Sequence, residues 1–191
     1  MKIILLLKSV LFAGFIMYSA QLFADTPLSD SVITSHIKAK IADDPLLKHS
    51  QMNVNINTDH QIVSFSGIVG SESEASTLVE LAQSTVDVKD VNTTDLKVKG
   101  SKQPLSDIYL TAKVKGQFLK EKLFGDKDIS AWSIKVETNN GVVYLTGESD
   151  SKEQVGNAIK LAKEVSGVKQ VKFRIKVTRG DRVANYEMKN Y

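Results

Sequence analysis

The chain contains no cysteine. That absence removes a disulfide framework, a zinc–thiolate centre and a cysteine nucleophile, because each needs a sulfur ligand or a thiolate. It also removes a lipobox, and with it a lipid-anchored lipoprotein. Other chemistry is missing as a pattern rather than as a residue type. The three histidines, His36, His49 and His60, are 13 and 11 residues apart; no two share a helix face, and there is no HExxH. Gly147-Glu148-Ser149-Asp150-Ser151 lacks the last glycine of a nucleophile elbow. No glycine-rich phosphate loop occurs. Asp43-Asp44 and Asp126/Asp128 pair carboxylates, but at helix ends and in loops, where solvated acids are ordinary. No catalytic residue, cofactor site or metal ligand is assigned, no cofactor is implied, and a non-enzyme is expected.

What is present suffices for one domain or two small ones: 191 residues, 42% hydrophobic, with a formal charge of +3. This hydrophobic content argues against disorder. Lys2 and Lys8 bracket the start of an apolar run, Val10 to Met17 continues it, and polarity changes abruptly at Asp25. Those are the parts of a secretory signal peptide, expected over residues 1–24. A membrane anchor is the competing reading. It needs about 20 apolar residues, whereas Lys8, Ser19 and Gln21 interrupt this run and no positive flank follows. An exported chain is therefore expected, and without cysteine its cores must suffice alone.

The remaining sequence is written twice. Leu28-Ser29-Asp30 recurs as Leu105-Ser106-Asp107, an offset of 77 that also pairs Thr34 with Thr111 and Ile37 with Val114. Further on the offset is 80. Val63 pairs with Val143, Gly67 with Gly147, Ser71 with Ser151, and Val88-Lys89 with Val168-Lys169. Each copy reads helix, strand, strand, helix, strand. Ile33, Ile37 and Ile41 recur every four residues, as do Leu110, Val114 and Phe118, which places them along one helix stripe. Asp43-Asp44-Pro45 ends the first helix, because the residue before proline avoids helical geometry. Val54 and Ile56, then Ile134 and Val136, alternate with polar residues as strands do. Asn140-Gly141 signals a hairpin. Ser71-x-x-Glu74 and Ser151-x-x-Gln154 both fit a capping box. Val171, Phe173, Ile175 and Val177 face one side of the last strand; Lys172, Arg174 and Lys176 face the other. Two amphipathic helices can cover one apolar face of such a sheet, with the second strand and the third joined by a right-handed crossover. At about 70 residues each copy is near the lower limit for an independent core, which favours packing of one on the other.

Asn140-Gly141-Val142-Val143-Tyr144-Leu145-Thr146-Gly147, followed by Gly167-Val168-Lys169-Gln170-Val171, resembles the BON domain, a bacterial envelope module. The resemblance spans about 28–98 and 105–177. Copy one departs from it: His60-Gln61 replaces the Asn-Gly turn, and Asp87 stands where copy two has Gly167. The resemblance implies an α+β fold of two tandem αββαβ domains, each a three-stranded mixed sheet covered by two helices. It implies a periplasmic location, a part in the osmotic stress response, and a role in binding membranes or protecting envelope proteins. It does not imply catalysis. The expected layout is then 1–24 signal peptide, 28–98 first domain, 99–104 linker, 105–177 second domain and 178–191 polar tail, in which Arg179-Gly180-Asp181 is a chance adhesion tripeptide.

Charge is divided between the copies. Residues 25–100 hold 6 Lys+Arg against 11 Asp+Glu, and 101–191 hold 17 against 11. Such asymmetry speaks of partners rather than of fold. With Leu110, Val114 and Phe118 facing inward, Leu119 and Leu123 point outward, flanked by Lys115, Lys120 and Lys122. Phe124 and Trp132 follow near the helix end. Exposed apolar residues ringed by lysines suit an anionic phospholipid surface, where insertion and headgroup attraction add. The other readings are that these leucines pack on copy one or on a second chain, and that the protein is a chaperone-like adaptor for envelope or outer-membrane protein clients. Lys135, Lys172, Arg174 and Lys176 form either a solvated sheet face or a surface that meets the acidic copy. No nucleic-acid partner is expected, because no stacking aromatics accompany the lysines. The oligomeric state is not set by the sequence.

Overall fold

The computed structural model describes residues 26–48, 53–101, 105–179 and 182–186. The expected signal peptide and His49 lie outside them. The first unit runs α1 (Asp30–Asp43), β1 (Val54–Asp59), β2 (Ile62–Val69), α2 (Glu72–Gln83) and β3 (Asp90–Val98). The second runs α3 (Ser106–Phe124), β4 (Ile134–Asn139), β5 (Val142–Ser149), α4 (Lys152–Glu164), β6 (Gln170–Arg179) and β7 (Arg182–Tyr186). Both central strands, β2 and β5, pair antiparallel with the strand before them and parallel with the strand after the crossover helix. This is the expected αββαβ mixed sheet, twice.

The second sheet departs by one strand. β7 pairs antiparallel with β6, from Ile175 opposite Tyr186 to Arg179 opposite Arg182, so part of the segment read as a polar tail is an edge strand. The pattern was short, and polar positions interrupt it. The signal available in the sequence was the turn-favouring dipeptide Gly180-Asp181.

The predicted stripes are the cores. Ile33, Ile37 and Ile41 are buried against Val63, Phe65, Leu78, Ala82 and Val91. Leu110, Val114 and Phe118 are buried against Val143, Leu145, Leu161, Val171, Phe173 and Ile175. Full burial of each such large aliphatic or phenylalanine side chain stabilises by about 1.5–3 kcal/mol.

Polar devices repeat along with the cores. The Asp30 carboxylate accepts the backbone N–H groups of His60 (2.9 Å) and Gln61 (2.8 Å). Asp107 does the same for Asn140 (2.6 Å) and Gly141 (2.9 Å). Each helix thus grips the tip of its own hairpin through the aspartate of the repeated Leu-Ser-Asp. The His60-Gln61 turn keeps the left-handed backbone of its counterpart, at φ 50° and 66° against 52° and 80°. Asp87 likewise holds φ 64° where Gly167 has 96°, and its carboxylate accepts the Leu28 N–H at 2.9 Å. Gly67 and Gly147 must be glycine. Their φ values are 120° and 129°, and an added Cβ would lie 2.1 and 2.0 Å from the carbonyl oxygens of Asn53 and Ser133.

The capping boxes form with one change. Ser71 Oγ accepts the Glu74 N–H at 3.2 Å and Ser151 Oγ accepts the Gln154 N–H at 3.2 Å. The return bonds reach one residue further back than a standard box, from the Gly70 N–H to Glu74 and from the Asp150 N–H to Gln154.

Candidate functional site

α3 serves both units. One stripe belongs to its own core, while Tyr109 and Ala112 are buried in the core of the first unit. The Tyr109 hydroxyl donates to the Leu96 carbonyl at 3.1 Å. Further along, Gly116 lets α3 cross α2 closely, because an added Cβ would sit 2.7 Å from the Glu80 carbonyl oxygen and 2.7 Å from Gln83 Cβ. Polar contacts frame the crossing. Lys113 pairs with Asp90 at 2.8 Å, with the lysine side chain only 13% exposed. Lys120 Nζ donates to the Val88 carbonyl at 2.7 Å, and Gln83 Nε2 donates to Gln117 Oε1 at 3.3 Å. Burial pushes the Lys120 ammonium pKa down and the Glu80 carboxyl pKa up, the latter opposed in part by Lys115.

The two copies differ in length at one place. The offset rises from 77 to 80 between the first helix and the first strand, so copy two carries three more residues there. α1 ends at Asp43, the counterpart of Lys120, whereas α3 continues for another turn to Phe124. That turn and the loop after it display Leu123, Phe124 and Trp132, which are 58%, 59% and 76% exposed. The loop is held. Gly125 N–H donates to the Glu121 carbonyl at 2.9 Å, and the Glu121 carboxylate accepts the Lys127 N–H at 2.8 Å. The Gln154 amide donates to Asp128 at 2.6 Å and accepts from the Ser149 hydroxyl at 2.9 Å. Ile129 is fully buried beneath. Large apolar side chains are therefore presented on an ordered scaffold, which lowers the entropy cost of any docking.

The sequence-predicted residues divide. Lys115, Lys122, Leu123, Phe124 and Trp132 are exposed, Leu119 is half-buried, and Lys120 is turned onto the first unit. A helical wheel treats α3 in isolation; the first unit occupies part of the face that the wheel leaves open. The loop-fixing residues Glu121, Ile129 and Gln154 were not singled out for this role. Only Gln154 carried a signal, as the last residue of a capping box. The lysine-bearing sheet face is solvated and locally balanced. Lys176 reaches Glu148 at 3.5 Å, Lys135 reaches Glu137 at 2.6 Å, and Lys172 lies 5.7 Å from the Tyr144 ring centroid. Among the described residues no three His, Cys, Asp or Glu side chains are grouped to hold a metal, and no helix is long and apolar enough to cross a membrane.

The BON domain model matches residues 29–100 and 106–179. This chain belongs to the BON-domain family. Over 149 residues it is 34% identical to the osmotically-inducible protein Y of Escherichia coli (strain K12), covering 78% of this chain and 73% of that protein. Among solved structures, the C-terminal domain of CdsD, the structural protein of the type III secretion system of Chlamydia trachomatis, aligns over 81% of this chain and 69% of that one. Identity there is 13% and the TM-score 0.32, a likeness too distant to carry an argument. In this two-BON chain the added helical turn sits on the second BON domain, at the end of α3.

Proposed function

We propose that this chain is a non-enzymatic periplasmic protein of the osmotic stress response that helps maintain the envelope by binding anionic phospholipid surfaces. Its second BON domain makes the contact. The inducible character comes from the related protein's name, and the periplasmic location from the leader-like N-terminal sequence. The observation that carries the membrane reading is the exposed group Leu123, Phe124 and Trp132 on the extra turn and its fixed loop. Magnitudes decide which force leads. Each such side chain contributes up to about 1.5–3 kcal/mol on full burial, against about 1 kcal/mol for each lysine near an anionic surface. Lys115 and Lys122 are exposed, but Lys127 is paired with Glu121 at 3.7 Å, and Asp126 and Asp128 are exposed beside them. Insertion therefore dominates, and the lysines supply the preference for anionic lipid.

Vesicle flotation tests this. Wild-type protein should float with phosphatidylglycerol-containing vesicles and less with purely zwitterionic ones. The exposed-site variant Leu123→Glu/Phe124→Glu/Trp132→Ala should remain folded by circular dichroism and lose flotation by at least about tenfold. Equal flotation of wild type and variant overturns the reading. A lipid-free aggregation assay with an unfolded outer-membrane protein separates the adaptor reading: suppression that survives the triple substitution assigns client binding elsewhere on the molecule.

A further inference from the structure

Asn140-Gly141 is the only asparagine–glycine step in the chain. The fold does not depend on it, since copy one makes the same turn with His60-Gln61 at φ 50° and 66°. Chemically the two turns are unequal. Glycine leaves its own main-chain nitrogen unshielded by a Cβ. The preceding asparagine side chain carries an amide carbon that this nitrogen reaches by closing a five-membered ring. Asn140 is exposed, so water has access to it.

The fold holds the reacting groups back. The Gly141 N–H, whose nitrogen would attack, donates to Asp107 Oδ1 at 2.9 Å, and the Asn140 N–H donates to Oδ2 at 2.6 Å. The Asn140 carbonyl accepts from Lys169 Nζ at 3.2 Å, and the Gly141 carbonyl accepts the Lys169 N–H at 2.9 Å. Asn140 Nδ2, the group that would leave, donates to Asn139 Oδ1 at 2.7 Å. Attack requires the nitrogen and the amide carbon to be brought to about 3–3.5 Å with their orbitals aligned, yet every main-chain group that must turn is hydrogen-bonded. Attack also requires the nitrogen without its proton. An amide anion beside the Asp107 carboxylate is opposed as any second like charge is.

We propose that Asn140 is a self-modification site that the Asp107 grip keeps closed. Once α3 releases the hairpin tip, solvent base takes the Gly141 proton and the nitrogen bonds to Asn140 Cγ. The Cγ–Nδ2 bond breaks, and Nδ2 leaves as ammonia with a proton from water. Water then opens the succinimide at either carbonyl, giving aspartate or isoaspartate at position 140 without oxidation or reduction. Both products add a carboxylate near that of Asp107, and isoaspartate also lengthens the main chain inside the turn. Both changes oppose the return of the grip, so each event withdraws an opened molecule from the folding equilibrium. Asn140 thereby records the release of the second domain's hairpin. The inference does not rest on the membrane reading.

Residues 25–191 are incubated in mildly alkaline buffer, folded or in urea. The peptide bearing Asn140 is followed by mass spectrometry for the amide-to-acid mass gain and for the isoaspartyl form. The folded chain should react at least about tenfold more slowly than the unfolded chain. Asp107→Ala, folded by circular dichroism, should react about tenfold faster than folded wild type. Should the alanine variant unfold, Asp107→Asn, which loses the charge, takes its place with the same direction expected. Asp30→Ala frees the other hairpin and should stay within about twofold of wild type, which separates the local grip from general loss of stability. Asn140→His/Gly141→Gln, which installs the turn of copy one, should abolish the mass gain. A folded wild-type rate equal to or above the unfolded rate overturns the proposal. So does a folded Asp107 variant that reacts at the wild-type rate.

Discussion

Asp30 and Asp107 hold the two hairpin tips, each through a pair of backbone N–H groups. Hydrogen bonds to a charged group contribute about 1.5–3 kcal/mol, so Asp107→Ala is expected to cost about that much in urea unfolding. Asp30→Ala should cost more. The turn it grips, His60-Gln61, keeps both residues at positive φ without a glycine, and nothing local favours that backbone once the carboxylate is gone. Equal losses would show that the grip, rather than the turn sequence, sets the cost. Glu80 gives a pH signature. Burial raises its pKa above the ordinary value near 4.5, with Lys115 partly opposing. For a raised carboxylate the folded state binds protons more readily than the unfolded state, so stability falls as pH climbs from the unfolded to the folded pKa. Glu80→Gln should therefore raise the melting temperature at pH 7–8, and the gain should vanish below about pH 4. At this scale the sequence was half-legible. The recurrence of Leu-Ser-Asp marked Asp30 and Asp107 as fixed points, but their partners lie 30 or more residues away and become visible only once the helix lies along its hairpin.

Among the elements, the helices and first three strands of each unit follow from four-residue and two-residue periodicities, because burial on one face enforces both. β7 did not. It is an edge strand whose pairing partner, β6, already satisfies its other edge on β5. Deleting residues 180–191 should leave the second core intact while uncovering the edge of β6. Unpaired edges template association; the truncated chain should keep its circular dichroism spectrum yet show concentration-dependent aggregation on heating, monitored by light scattering. Unchanged scattering would mean that β7 adds little protection. The candidate membrane surface was legible for the same reason in reverse. Leu123, Phe124 and Trp132 lie past the last buried position of the stripe, so no local pattern demands their burial. Lys120 sits level with the core stripe, where the packing of the other copy decides its environment, and a helix read alone carries no trace of it.

For the whole molecule, the division into an acidic and a basic half is spent partly on the joint itself, through Lys113 with Asp90 and Lys115 near Glu80. The apolar part matters more. Tyr109 and Ala112 are buried in the first core although they belong to the second copy, so the first unit is incomplete without α3. A 60- to 70-residue unit buries only about 60% of its unfolded surface and is marginal by itself. Residues 25–101 expressed alone should accordingly be largely unfolded or melt well below the full chain, whereas the full chain should unfold in a single transition. Gly116→Leu distinguishes shared packing from mere tethering. The new side chain meets the Glu80 backbone, which cannot yield as a flexible side chain would, and α3 must then lift from α2. Calorimetry of that variant should resolve two transitions, the first unit melting below the second. A single transition at the wild-type temperature would mean that the joint tolerates the bulk, and that α3 does not couple the stability of the two units.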